Sequence, residues 1–386
     1  MLNKVIRLST IPLSLNILLK NQFLFLSKYY KVIAVASAGE ELQELGEREN
    51  VEVKAIEIKR KISLFQDMIS LWNLYCFFKK EKPLIVHSIT PKAGLLSMIA
   101  AKMANVPIRM HTFTGLIFPT RTGPMKKLLI QMDKLLCWCA THIYPEGNGV
   151  KKDLINYKIT KKNLKILANG NVNGIDLDFF DPKKITDHEK IDLQNKLGIQ
   201  KDDFVFVFIG RLVQDKGINE LVAAFKNLNI IESKLLLVGP LETDQDPLLP
   251  NTLEEISTNK NIISVGFQKD VRPYLAISHA LTFPSYREGF PNVVMQAGAM
   301  NLPSIVTDIN GSNEIIIDNQ NGIIIPVKND LALQHAMRKI QSDKILRDAL
   351  QSNARRLINE RFKQQVVLDA LLAEYQMLEK NVQKIS

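Results

Sequence analysis

The chain has 386 residues, 46% hydrophobic and 23% charged, which excludes a disordered or fibrous protein and leaves room for two domains. Of 50 basic and 40 acidic residues, 26 basic and 14 acidic lie in residues 1–180, so the first half carries +12 and the remainder −2 of the net +10. Such an excess points to anionic partners: nucleic acid, phosphorylated substrates or an acidic membrane surface. No run of about 18 apolar residues is present, so no transmembrane helix is expected. The apolar stretch 11–26 is broken by Asn16, Lys20, Asn21 and Gln22 and does not read as a signal peptide. Three cysteines cannot form a disulfide framework and fit a reducing, cytoplasmic setting.

The elements alternate from the start. Residues 4–9 read as a strand, 13–27 as a helix, 31–36 as a strand and 40–49 as a helix. A strand at 51–58, a helix at 64–80, a strand at 84–89, a helix at 93–104 and a strand at 108–112 follow, then a helix at 124–139 and a strand at 142–145. This predicts a parallel sheet covered by helices on both faces. Turn signals at Asn169-Gly170-Asn171, Asn173-Gly174 and Asp181-Pro182 interrupt the pattern. It restarts with a strand at 204–209, a helix at 218–228 and a strand at 234–238, with further strands at 262–266, 280–284, 303–307 and 322–326, and helices between them. The C-terminal stretch reads as helices alone. The prediction is an α/β chain of two doubly wound domains, 1–180 and 181–365, with a closing helix over 366–386. Ligands in such sheets bind outside the carboxyl ends of the strands, which makes a central cleft between the domains the expected site.

Two strand-to-helix junctions in the second half concentrate chemistry. In Gly210-Arg211-Leu212-Val213-Gln214-Asp215-Lys216-Gly217, Gly210 allows close backbone approach, and Arg211 and Lys216 precede a helix. Two cations beside a helix N-terminus suit a diphosphate. The alternative is a solvated loop whose charges pair with Asp215 and Glu220. In Glu288-Gly289-Phe290-Pro291-Asn292-Val293, a loop carries a carboxylate suited to sugar hydroxyls, and Pro291 stands where a helix should begin. The N–H groups of Asn292 and Val293 would face a ligand there, with Gln296 further along the helix.

These segments resemble the retaining glycosyltransferases of family 4, which have the GT-B architecture of two Rossmann-like domains. The resemblance covers nearly the whole chain. It rests on Gly210-Arg211…Lys216-Gly217, Val238-Gly239-Pro240, Gly266-Phe267, Glu288-Gly289-Phe290-Pro291, Asn310-Gly311…Asn313-Glu314-Ile315, Asn321-Gly322 and the segment from Gly170 to Asp176. It implies that Arg211 and Lys216 bind the donor's diphosphate, that Glu288 contacts the donor sugar, and that the backbone near Gly266 and Phe267 lies by the base. Gly210, Gly289, Phe290 and Pro291 complete the implied donor site. The second glutamate of the family's E-x7-E element is replaced by Gln296, a weaker partner for ribose hydroxyls. The first half would bind the acceptor. There the resemblance puts His111 opposite the donor sugar, and Thr90, Lys92 and Thr112 are acceptor-side candidates. Domain closure would assemble the site, and the closing helix would pack back on the first domain.

The resemblance further implies a UDP-sugar donor, a polyprenyl-diphosphate-linked saccharide acceptor in capsule, O-antigen or exopolysaccharide synthesis, no cofactor and no metal. Asp244-Gln245-Asp246 has the form of a metal motif but falls in a loop, and Cys137-Trp138-Cys139 reads as one side of a buried helix. Leu64, Phe65, Met68, Ile69, Trp72, Leu74, Phe77 and Phe78 lie near Lys59-Arg60-Lys61 and Lys79-Lys80, and Lys126-Lys127 and Lys151-Lys152 add further basic clusters. That segment is either an interfacial helix at an anionic leaflet, placing the chain at the inner face of the cell membrane, or a buried amphipathic helix with solvated ends. Two other functions share some of these features: a UDP-N-acetylglucosamine 2-epimerase-like enzyme of the same fold, and a basic nucleic-acid-binding protein. The second lacks any recognised nucleic-acid module.

Overall fold

A computed structural model describes residues 2–59, 63–228, 232–244 and 246–384. The chain forms two units: Met1–Gly174 with Gln364–Ser386, and Ile175–Lys363. By sequence the first unit has 28 basic and 15 acidic residues, net +13, and the second has 22 and 25, net −3.

Strands without a polar face must be covered on both sides, and a parallel sheet between helices does this. In the first unit the strands are β1 (Lys4–Leu8), β2 (Lys31–Ala36), β3 (Glu52–Ala55), β4 (Ile85–Ile89), β5 (Ile108–Phe113) and β6 (His142–Pro145). The helices between and after them are α1 (Pro12–Leu18), α2 (Gln22–Ser27), α3 (Glu40–Glu49), α4 (Leu64–Glu81), α5 (Pro91–Met103), α6 (Gly123–Cys139) and α7 (Asn148–Asn156). The sheet order is β3-β2-β1-β4-β5-β6, all parallel.

The second unit opens with α8 (Asp187–Leu197), whose Thr186 and Glu189 form a capping box. There follow β7 (Phe204–Ile209), α9 (Ile218–Leu228), β8 (Ser233–Val238), α10 (Pro250–Thr258), β9 (Ile262–Ser264) and α11 (Arg272–Ala276). Then come β10 (Ala280–Phe283), α12 (Asn292–Ala299), β11 (Ser304–Thr307), α13 (Ser312–Ile315), β12 (Gly322–Ile325), α14 (Asp330–Ser342) and α15 (Lys344–Phe362). The order β12-β11-β10-β7-β8-β9 repeats the winding of the first sheet. In each, two adjacent strands lead to connections that run in opposite directions, β1 and β4 in one and β7 and β10 in the other. Ligand crevices of doubly wound sheets form at such points.

Several elements depart from expectation. The helix expected over 13–27 is two helices, because Asn21 adopts φ +66°. The Glu49 carboxylate, 1% exposed, fixes the second start by accepting the N–H groups of Asn21, Phe23 and Leu24 at 2.7, 3.1 and 3.2 Å. The chain enters the second unit at Ile175, before residue 180, because Ile175, Leu177 and Phe180 are buried in that unit's core. Helix α16 (Gln364–Gln383) belongs to the first unit. Leu371, Tyr375 and Leu378 are buried there. The Tyr375 hydroxyl meets His87 Nδ1 at 2.7 Å and accepts from the buried Arg7 at 3.0 Å, and Tyr144 donates to Glu374 at 2.8 Å. Burial and the nearby Arg7 cation hold His87 well below the usual histidine range.

Helix α4 divides along its length. Leu74 and Phe78 are buried, whereas Leu64, Phe65, Met68 and Trp72 are 80, 73, 70 and 61% exposed. The helix is therefore buried in its C-terminal half and exposed through its N-terminal half. Of the adjoining cluster, Arg60 and Lys61 lie outside the described residues. No described helix is long and apolar enough to cross a membrane.

Candidate active site

In the second unit, the loops after β7 and β10 are drawn together by glycine. Gly217 has φ +71°, and a Cβ there would stand 2.1 Å from the Pro284 carbonyl oxygen. A Cβ on Gly239 would stand 1.8 Å from the Gly210 carbonyl oxygen, so the end of β8 is also held against the loop. The close approach lets the Lys216 ammonium ion-pair with Glu288 across the two loops, with the side chains 17 and 16% exposed. Ser285 Oγ donates to Glu288 at 2.9 Å, and Lys216 Nζ lies 5.6 Å from the centre of the Phe283 ring. Arg211, further out, pairs with Glu242 at 2.8 Å.

The expected alternative of pairing to Asp215 and Glu220 is not what forms. Asp215 instead binds Arg287 at 2.9 Å, and Glu220 accepts from the Tyr286 hydroxyl at 2.6 Å. Burial and the adjacent Glu220 push the Tyr286 phenol up. Asp246 Oδ2 accepts the Asp215 N–H at 2.6 Å, so one carboxylate of the expected metal-like motif braces the loop; Gln245 lies outside the described residues. Among the described residues no group of three or more His, Cys, Asp or Glu is placed to hold a metal.

The remaining donor-side residues separate into two sets. Pro291 is the N-cap of α12, one position before the expected first turn, and Gln296 is half-buried on that helix. Phe290 is 6% exposed, with its ring packed edge-on against Phe362 at 5.4 Å, so it can offer a ligand only backbone. Gly266 at φ +67° turns the chain into Phe267, which is 72% exposed. Glu242 was not anticipated, since nothing in its spacing from Arg211 ties the two together.

In the first unit, the loops after β1 and β4 meet through threonines. Thr90 Oγ1 accepts the Thr10 N–H at 3.1 Å and lies 3.0 Å from Thr10 Oγ1. Thr90 takes φ +65°, ψ 138°, a strained conformation for a β-branched residue and one that recurs at ligand sites. Lys92 pairs with Asp67 of α4 at 2.7 Å. A cavity of about 750 Å³ opens here, lined by Thr10, Thr90, Lys92, Leu95, Arg121 and the α6 residues Met125, Leu129, Met132 and Asp133. Burial lifts the Asp133 carboxyl to about 7. Asp67, Arg121 and Asp133 carry no motif and were not anticipated.

The structure buries His111. It lies inside β5, within the strand expected over 108–112, and is 1% exposed, facing Ser88 Oγ at 2.8 Å and the glycine face of Gly94 on α5. Burial lowers its pKa to about 3, which favours the neutral imidazole. Thr112 is 7% exposed, with its hydroxyl 2.7 Å from His87 Nε2. Cys137 and Cys139 are both buried in the last turn of α6, although positions two apart do not share one helix face, and burial raises the Cys137 thiol to about 12.

Residues 189–357 match the family of glycosyl transferases group 1, and residues 13–146 match the glycosyl transferase 4-like family. The capsular polysaccharide biosynthesis glycosyltransferase CapM of Staphylococcus aureus is 33% identical over 384 residues, 96% of either chain. The chain is a family 4 glycosyltransferase. The UDP-Gal:alpha-D-GlcNAc-diphosphoundecaprenol alpha-1,3-galactosyltransferase of Escherichia coli is 31% identical to the transferase, covering 78% of this chain and 77% of the relative. Anabaena HepE, solved with UDP and glucose, superposes with a TM-score of 0.83 at 16% identity, covering 97% of this chain and all of HepE, and thereby supports the GT-B fold. Membership decides for the transferase over the epimerase and nucleic-acid readings.

Proposed function

We propose that this glycosyltransferase moves a sugar from a UDP-sugar, with retention of anomeric configuration, to a polyprenyl-diphosphate-linked saccharide during assembly of a bacterial surface polysaccharide. The observation that carries the reading is the Lys216–Glu288 pair at the switch point of the second sheet, with Arg211 beside it. Each cation is held by a carboxylate that a diphosphate can replace, and a doubly charged leaving group binds both more strongly than one carboxylate does. Once Lys216 is transferred to the diphosphate, Glu288 is free to accept hydroxyls of the sugar. Gln296 takes the ribose, and Phe267 with the Gly266 turn takes the base. Stabilising the departing UDP with side-chain cations does the work of a divalent metal. The acceptor hydroxyl attacks the anomeric carbon as the bond to UDP breaks, and its proton passes to the leaving phosphate oxygen. The names of the Staphylococcus and Escherichia relatives support the capsular context, the UDP-linked donor and the lipid-linked acceptor.

The first unit takes the acceptor, at an anionic membrane surface. Its net +13 and the exposed Phe65, Met68 and Trp72 support this, since cations near such a surface contribute about 1 kcal/mol each. A thermal-shift screen of UDP-, GDP- and ADP-sugars tests the donor. UDP-sugars at 100 times their dissociation constant should stabilise the protein by about 2.7 kcal/mol. A response to none of the three, or to GDP-sugars alone, overturns the donor assignment. Sedimentation with vesicles containing phosphatidylglycerol, compared with pure phosphatidylcholine, tests the surface. Retention of wild-type binding by Phe65→Ser with Trp72→Ser would count against it.

A further inference from the structure

The cavity of the first unit has a chemistry that a saccharide alone does not explain. Its wall is aliphatic and thioether: Leu95 on α5, Ile117 on the approach to α6, and Met125, Leu129 and Met132 on α6. Sugars are gripped by aromatic faces and dense polar groups, and none of the lining residues is aromatic. Methionines adapt to irregular apolar chains. At about 750 Å³ the cavity is within the range of small-molecule sites.

The polar side chains of the lining are Thr10, Ser14, Thr90, Lys92, Arg121 and Asp133, and two of them are cationic. Lys92 sits at the start of α5, next to the strained Thr90, and Arg121 just before α6. Two apolar lining residues reach solvent, Met125 and Ile117, 48 and 38% exposed, with the exposed Arg121 between them in sequence. Asp67, which binds Lys92, is flanked on α4 by the exposed Phe65 and Met68. Exposed apolar side chains are thus found in the cavity's own lining and next in sequence to the carboxylate that holds Lys92.

We infer that this cavity binds the lipid end of the acceptor: the first units of a branched apolar chain lie against Leu95, Leu129 and Met132, and the attached diphosphate is held by Lys92 and Arg121. The inference rests on reading the first unit as the acceptor unit. Lys92 would exchange Asp67 for phosphate, as Lys216 exchanges Glu288. A carboxylate at Asp133 would oppose an anion, but burial among apolar neighbours removes much of its charge near neutral pH.

Farnesyl diphosphate is a suitable probe, with inorganic pyrophosphate and farnesol as comparators, in calorimetric titrations of the full chain. Farnesyl diphosphate should bind at least tenfold more tightly than either comparator. Leu129→Asn, in the wall, and Met125→Gln, at an exposed lining position and harmless to folding, should each weaken it at least tenfold and leave pyrophosphate unchanged. Arg121→Gln should weaken both phosphates. The assignment is overturned if farnesyl diphosphate binds no better than pyrophosphate, or if neither Leu129→Asn nor Met125→Gln affects it. Transfer to a lipid-diphosphate saccharide at the wild-type rate in both wall variants would leave the function standing and remove the site. Absence of stabilisation by any nucleotide sugar would remove the function, while the farnesyl diphosphate titration still reads the cavity by itself.

Discussion

The two sheets share one winding order, yet their switch points are built from opposite materials. Between β7 and β10 the loops are joined by glycine and carry charge: Gly217 against Pro284, Lys216 against Glu288. Between β1 and β4 they are joined by threonine hydroxyls and open on an apolar cavity. One topology thus yields a compact cluster of ion pairs in a unit of net −3 and a largely apolar hollow in a unit of net +13. The winding supplies a place for a ligand, and the loop residues decide which ligand. The excess positive charge of the chain is not on the unit assigned to the nucleotide donor, where two local cations suffice. It is on the unit assigned to the lipid-linked acceptor.

The largest expected effect tests the clamp. Lys216→Ala should lower turnover by about 10²–10³-fold, the range for removing one group that stabilises developing charge, while the melting temperature holds. Steady-state kinetics with a UDP-sugar would show it, and full activity would break the contrast between the two crevices. Next is the joint itself. Gly217→Ala places a methyl group on the Pro284 carbonyl at a positive φ, and should destabilise the protein by about 3 kcal/mol in urea unfolding. The same substitution tolerated without loss would mean that the loops can separate.

A smaller effect tests the hollow. The Asp133 carboxyl is raised to about 7 in the fold, from an ordinary value near 4. Its contribution to stability is intact below about pH 4, declines as the unfolded chain ionises first, and is fully lost above about 7. Asp133→Asn does not titrate. The melting temperature of the variant relative to wild type should therefore climb between about pH 4 and 7 and level off above; a constant difference across that range would show that Asp133 is not held in an apolar wall. The smallest effect concerns Gln296→Glu. A charged partner for ribose gains roughly 1 kcal/mol over a neutral one, so donor affinity should stay equal or rise by less than about tenfold. Abolished donor binding would mean the ribose pocket has been rebuilt around the amide.

Periodicity made most of the fold legible. The run Phe204–Ile209 has no polar residue on either face, and a covered parallel sheet accommodates it. Arg211, Lys216 and Glu288 were legible because glycine, charge and helix start coincide within a few residues. The burial of His111 was not legible, because it depends on α5 crossing β5 with Gly94 against the imidazole, while pairing with β6 carries β5 on to Phe113.

By itself, the order of residues determined the alternation of strands and helices, the two-fold repetition of a doubly wound unit, the charge asymmetry and the family. These depend on local patterns and on spacings along the chain. Tertiary structure decided which carboxylate each cation meets, that Thr90 is strained, that His111 is buried, and that a hollow lined by Leu95, Leu129, Met132 and Asp133 exists. Those outcomes join residues separated by tens of positions, such as Asp67 with Lys92 and Lys216 with Glu288. Contacts of that kind are set by how helices cover a sheet, and no local pattern encodes them.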